Sequence, residues 1–352
     1  MIKKLFPLFL LLVLMGAGCT ASKQATGTSD GGILKSVNAG KDWAPSATVL
    51  TAKGVGTLMT ANVLGLEMDP SDKTVIYANT REDGFLYSED AGTTWRQPRF
   101  EALATGLVTR VSVDPKQTCT VYVAKGQRLY KTTDCMRTFD SEVFVESRPD
   151  VLITLVEVDW FDSQTVWLGL QNGDVLKSQD GGTTWTTILQ TGKEISDILV
   201  SNTDSRIVLI SFYNGAIQKT TDGGATWTDL SPALKKWTDA KKVYDMAQHA
   251  KSGALLIGTQ YGLLKSTDLG NSWEALNLVT SKGQSLVRAV AFDSTNETTI
   301  YYATVGAFYK SIDNGASWQT EKLPSTRVPR SLLVDPKAGG VIYIGFAKDI
   351  EN

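Results

Sequence analysis

The chain has 352 residues, of which 42% are hydrophobic and 20% charged, and its formal net charge is −2. That is enough apolar material for one large folded domain and is not the composition of a disordered chain. Lys and Arg number 35 against 37 Asp and Glu, so the chain lacks the basic excess that nucleic-acid binding needs; with one His and three Cys, neither a metal nor a cofactor is expected.

Met1 to Lys4 is a basic start and Leu5 to Met15 an apolar run, of signal-peptide length and too short to span a bilayer. The run ends at Gly16-Ala17-Gly18-Cys19, which resembles a bacterial lipoprotein cleavage site, with Gly16 where that pattern prefers Leu. The resemblance implies that residues 1–18 are removed and Cys19 is lipidated, which takes away Lys3 and Lys4 and leaves a charge of −4. Residues 19–30, rich in Ser, Thr and Gly, read as a tether that reaches up to about 40 Å. The expected location is the outside of a bacterial membrane, periplasmic or at the cell surface, with the membrane touched through the lipid alone.

From residue 31 onward one pattern returns. Ser88-Glu89-Asp90-Ala91-Gly92-Thr93-Thr94-Trp95 has counterparts starting at 36, 132, 178, 220, 266 and 311. Asp90, Asp134, Asp180, Asp222, Asp268 and Asp313 hold the third place, with Asn38 in the first copy; the copy at 132 has Met136 and Phe139 for Gly and Trp. A period of 42 to 52 residues marks an array of supersecondary units. Each octet lies between β-prone runs, so it reads as a hairpin turn: Asp binds backbone N–H groups, Gly takes a positive φ, and Trp is expected to fold back over the hairpin. Two further strands precede each octet, as in Thr109 to Pro115 and Thr120 to Ala124.

These octets resemble the Asp-box (BNR) repeat and, in length and repeat style, are most similar to the photosystem II stability/assembly factor family; sialidase and sortilin propellers are more distant. The resemblance, with four strands per unit and seven units, implies an all-β, seven-bladed β-propeller over residues 31–352. The chain starts with a third and fourth strand (Gly32 to Lys35 and the first box) and finishes with a first and second (Arg330 to Pro336, Val341 to Gly345). The two ends are therefore expected to complete one blade. Cys119 and Cys135 fall in turns on the same side of one blade, where a disulfide is geometrically feasible in an exported protein.

Asp69, Asp114, Asp159, Asp293 and Asp335, with His249, recur at the end of the first strand, so they read as turn residues rather than catalytic ones. The opposite face gathers the candidates for binding. Arg288 and Arg330 occupy equivalent places in neighbouring blades, with Tyr244 one blade earlier and Arg110 one residue out of phase. Two such guanidiniums suit a carboxylate or phosphate, unless Asp197 and Asp245 simply pair with them. The loop Ser231 to Lys242 places Trp237 among lysines, fitted to an acidic protein patch or a glycan, or else forming a short amphipathic helix that buries Leu234 and Trp237. The leading expectation is a non-catalytic scaffold for a protein partner. A glycoside hydrolase or sialidase-like enzyme, using Arg110, Arg288 and Arg330, and a glycan-binding lectin are the alternatives.

Overall fold

Six of the seven box turns are closed by the same hydrogen bonds, and they explain the spacing. In the third blade Ser178 Oγ donates to Asp180 Oδ1 (2.8 Å) and accepts from the Gly182 N–H (2.8 Å), while Asp180 accepts from the N–H and Oγ1 of Thr184 (2.8 and 2.6 Å). Two successive residues of the turn must take positive φ, 68° at Gly181 and 100° at Gly182, where a Cβ would meet Val143 Cγ1 at 2.4 Å. The seventh place, occupied by Thr or Ser in six copies, is thus part of the motif. In the first copy the acceptor has changed sides: Asn38 Nδ2 donates to Asp42 Oδ2 (2.8 Å).

The structure, a computed structural model, describes residues 30–280, 283 and 286–349. The expected signal segment, Cys19 and the tether up to residue 29 lie outside them. Seven antiparallel sheets form the ring, and each inner strand packs against the inner strand of the next sheet until the seventh meets the first. In chain order the inner strands are Val63–Met68, Arg110–Val113, Ile153–Val158, Ile195–Val200, Val243–Gln248, Ala289–Asp293 and Val328–Val334, defining blades 1 to 7. Blade 7 closes the ring: Gly32–Ser36 pairs with Ile342–Ala347, from Gly32 opposite Phe346 to Ser36 opposite Ile342, and Ala44–Pro45 forms its edge. This is a seven-bladed propeller with termini joined in one blade.

Blade 1 departs from regularity. Its fourth strand is reduced to the pair Tyr87–Arg96, because an added hairpin, Thr48–Thr51 with Gly54–Thr57, takes the backbone of Trp95. The Trp95 N–H donates to Thr48 O and the Leu50 N–H to Trp95 O, both at 2.8 Å.

The box aromatics also differ from expectation. They reach across to the preceding blade rather than only over their own hairpin. Trp95 is fully buried and donates to Ser46 O (3.0 Å), beyond the edge of blade 7, and Trp185 of blade 3 donates to Val143 O of blade 2 (3.1 Å). Trp227 of blade 4 meets Trp167 of blade 3 edge-on at 6.5 Å. The reason is geometric: neighbouring blades diverge outward, and a ring at the outer edge fills the widening wedge between them.

Lysines complete the junctions. The residue before the box sends its ammonium into the next blade's box turn, as Lys35 to Ala91 O (2.7 Å), Lys131 to Gly181 O (2.9 Å) and Lys177 to Gly223 O (2.8 Å). The same ammonium groups lie 5.3, 5.0 and 4.8 Å from the ring centroids of Tyr343, Tyr122 and Trp167. These three ammonium groups therefore brace neighbouring blades. In blade 2, which has neither Gly nor Trp in its box, Cys119 and Cys135 are bonded, and Cys135 and Met136 hold φ of 57° and 63° without glycine.

Candidate functional site

The ring surrounds a channel of about 690 Å³. Along each inner strand alternate side chains face it, and where these are polar they also tie blades together. Glu67 Oε1 accepts from the Val113 N–H (2.8 Å), Asp245 Oδ2 from the Val290 N–H (2.8 Å) and Ser331 Oγ from the Leu66 N–H (3.1 Å). Arg110 crosses from blade 2 to blade 4, its Nη2 3.0 Å from Asp197 Oδ1 and 3.9 Å from Glu157 Oε2.

Four carboxylates thus line the channel with Arg110, while Arg330 lines it as well, and burial away from water disfavours the charged forms of the carboxylates. Glu67 is pushed up to about 7, chiefly by burial. Glu157, Asp197 and Asp245 are also raised, first by burial, with neighbouring carboxylates adding to the effect at Glu157 and Asp245. Burial opposes the charge of Arg110, but Asp197 and Glu157 outweigh it and hold its pKa above the usual arginine value. Among the described residues no group of three or more His, Cys, Asp or Glu side chains is arranged to hold a metal ion.

The mouth opposite the box turns, here called the top, has the other charge. Arg288 Nη2 lies 3.9 Å from Asp349 Oδ2 and Arg330 Nη2 3.3 Å from Asp349 Oδ1. The Arg288 guanidinium sits 4.2 Å from the ring centroid of Tyr244. Tyr213, 39% exposed, stands on the same face. The predicted residues therefore divide into two sets. Arg288, Arg330 and Tyr244 come together at the top, whereas Arg110 is held deeper by Asp197 and Glu157, so the three arginines do not converge. The expected pairing of Asp197 and Asp245 with Arg288 and Arg330 is not the one formed; Asp349 takes that place.

Trp237 is only 9% exposed and belongs to an apolar cluster with Leu209, Leu230, Leu234 and Trp273. The loop before it starts with the short helix Ser231–Leu234, and Lys236 lies 4.1 Å from the Trp237 ring centroid. Loop 231–242 thus buries Leu234 and Trp237 as the second sequence reading expects, but only Ser231–Leu234 is helical. The recurrent first-strand residues cap turns: Asp114 Oδ1 accepts from the Lys116 and Gln117 N–H groups (2.9 and 3.0 Å), and His249 Nδ1 accepts from the Ser252 N–H (3.2 Å).

Sequence reasoning missed Glu67, Glu157 and Asp349. The first two were visible as charged residues in otherwise apolar inner strands, each two places before the turn aspartate. Nothing in the sequence around Asp349 marks it.

A family model described as Photosynthesis system II assembly factor YCF48 matches residues 186–326, which include the boxes at 220, 266 and 311. The chain is a BNR-type β-propeller. No curated protein matches the propeller. Among solved structures it is similar to the GH74 xyloglucanase from Xanthomonas campestris, with 14% identity and a TM-score of 0.67 over 82% of this chain and 51% of that one. It is similar also to YCF48 bound to D1 peptide (16%, TM-score 0.62, covering 82% and 94%) and to YCF48 from Cyanidioschyzon merolae (14%, 0.62, 81% and 96%). At these identities the likeness is one of fold. The propeller spans about half the length of the GH74 enzyme.

Proposed function

We propose that this propeller is a non-catalytic scaffold that binds a protein partner across its top mouth and helps assemble a complex in the bacterial envelope. The observation that carries the reading is the convergence of Arg288 and Arg330 on a single carboxylate beside an aromatic platform, Tyr244. A similar propeller of nearly matching length, YCF48, holds a peptide, which supports a peptide-binding use of this fold; the photosystem itself is not carried over. Envelope placement draws on the basic and apolar start, the cysteine at position 19, and the Cys119–Cys135 disulfide, a bond that persists in oxidising compartments. In this reading Cys19 bears the lipid and the tether holds the ring away from the membrane.

The test is site-specific photocrosslinking in the native envelope. A crosslinker at Tyr213 on the top should trap one stoichiometric protein, lost in Arg288→Ala/Arg330→Ala. A crosslinker at Phe161, 46% exposed on the box-turn side, should not. The same capture from both faces, or none from the top, refutes the scaffold reading.

A glycoside hydrolase is the second reading, favoured by Glu67, whose pKa near 7 suits a general acid, among other channel carboxylates. Hydrolysis of xyloglucan or aryl glycosides that disappears in Glu67→Gln would replace the scaffold by the enzyme.

A further inference from the structure

The arginine pair at the top already has an occupant, and the fit is incomplete. Asp349 follows the second strand of blade 7, Ile342–Ala347, and turns its carboxylate over Arg330 of blade 7 and Arg288 of blade 6. The two guanidiniums are largely enclosed, with side chains 15% and 23% exposed, whereas Asp349 is 48% exposed. One contact is a hydrogen bond at 3.3 Å and the other is a charge contact at 3.9 Å, so neither arginine is engaged in bidentate fashion. Arg330 Nε has no hydrogen-bond partner among the described residues. Among the described residues one carboxylate thus faces two guanidiniums, and burial with the nearby Arg288 charge holds the Arg330 pKa below the usual value. A net positive, sheltered, half-satisfied pair is covered by an exposed carboxylate from the same chain.

We infer that the Arg288–Arg330 pair is a carboxylate-binding site and that Asp349 is its built-in occupant, displaced when an Asp or Glu side chain of a partner peptide arrives. This rests on the top-face binding reading and adds the ligand's chemistry and its competitor. The exchange breaks no covalent bond: one carboxylate replaces another, and the 349 segment is released. The incoming group gains where Asp349 is weak, because a free carboxylate can be oriented to take two N–H donors from each planar fork. The competitor lowers apparent affinity by the fraction of molecules in which the site is open. An exposed ion pair of this kind closes the site in roughly four molecules of five, so its removal should tighten binding by about fivefold.

The experiment is fluorescence anisotropy at low salt with the intact propeller and a labelled peptide carrying Asp-Glu-Asp-Glu, together with its Asn-Gln-Asn-Gln counterpart. Wild type, Asp349→Asn, Arg288→Ala/Arg330→Ala and the triple variant are compared after their unfolding temperatures are shown to agree. The expected result is binding of the acidic peptide alone, about fivefold tighter in Asp349→Asn and lost in the double variant, with no gain from Asp349→Asn in the triple variant. Equal affinity in wild type and Asp349→Asn, with loss in the double variant, overturns the occupant and leaves the carboxylate site standing. Binding that survives Arg288→Ala/Arg330→Ala, or absence of binding in both wild type and Asp349→Asn, overturns the site itself.

Discussion

Cys119 and Cys135 are 16 residues apart and join two turns of blade 2, the blade whose box has neither Gly nor Trp. Replacing both by Ser leaves the positive φ at each position as it was, so the change acts mainly through the unfolded chain. For a loop of this length the chain-entropy relation gives about 3 kcal/mol. With an unfolding entropy near 2.1 cal/mol/K per residue over about 320 residues, that corresponds to a fall of roughly 4–5 °C in Tm. Calorimetry on wild type and Cys119→Ser/Cys135→Ser, each with and without dithiothreitol, separates the cross-link from the side chains. Oxidised wild type should melt highest, and reduced wild type should fall to the level of the double variant, which should not respond to reductant. Coincident melting of oxidised wild type and double variant would refute the argument. A drop in the variant that reduction of wild type does not reproduce would show packing, not the cross-link, to be the cause.

Lys177→Met removes a charged donor from Gly223 O and the ammonium above Trp167; a loss of about 2 kcal/mol is expected by urea unfolding, and an unchanged midpoint would show the inter-blade clamp to be inert. Glu67 has a folded pKa near 7 against an ordinary 4.5, so the stability it contributes is complete below about 4.5 and lost as pH rises through 7. Glu67→Gln, which keeps an acceptor for the Val113 N–H, should therefore be more stable than wild type at pH 8 and equal to it near pH 4; a difference that does not change with pH would contradict the buried carboxyl. Cys19→Ala should abolish labelling by radioactive palmitate and release the protein from the membrane fraction, and continued membrane retention would remove the anchor from the proposal.

Much of the fold was legible because the box is a local device. Ser178, Asp180, Gly182 and Thr184 satisfy one another within a single turn, so the same letters recur wherever the turn recurs, and counting them counts the blades. Ring closure was legible from the strand types left over at the two ends. The hydroxyl in the seventh place was equally available in the sequence, and its exchange for Asp42 opposite Asn38 marks the contact it makes. The hairpin at residues 48–57 was not legible: its short runs, TVLT and GVGT, lack the repeat's spacing, and only the blade edge at Trp95 gives them a partner.

The sequence by itself determined how many blades there are and where each turns, since those properties rest on contacts among residues a few places apart, and the strand types left over at its two ends determined which must meet. The tertiary structure decided what each charge does. Arg110 and Asp197 are 87 residues apart and meet across the channel, separating Arg110 from the two arginines that lie one place out of phase with it; Asp349 reaches Arg288 across the junction of blades 6 and 7. Equivalent places in a repeat put side chains at equivalent heights on the ring. Which of them pair depends on distance across a closed circle and on how far burial raises the cost of leaving a charge alone, and neither quantity exists until the circle is closed.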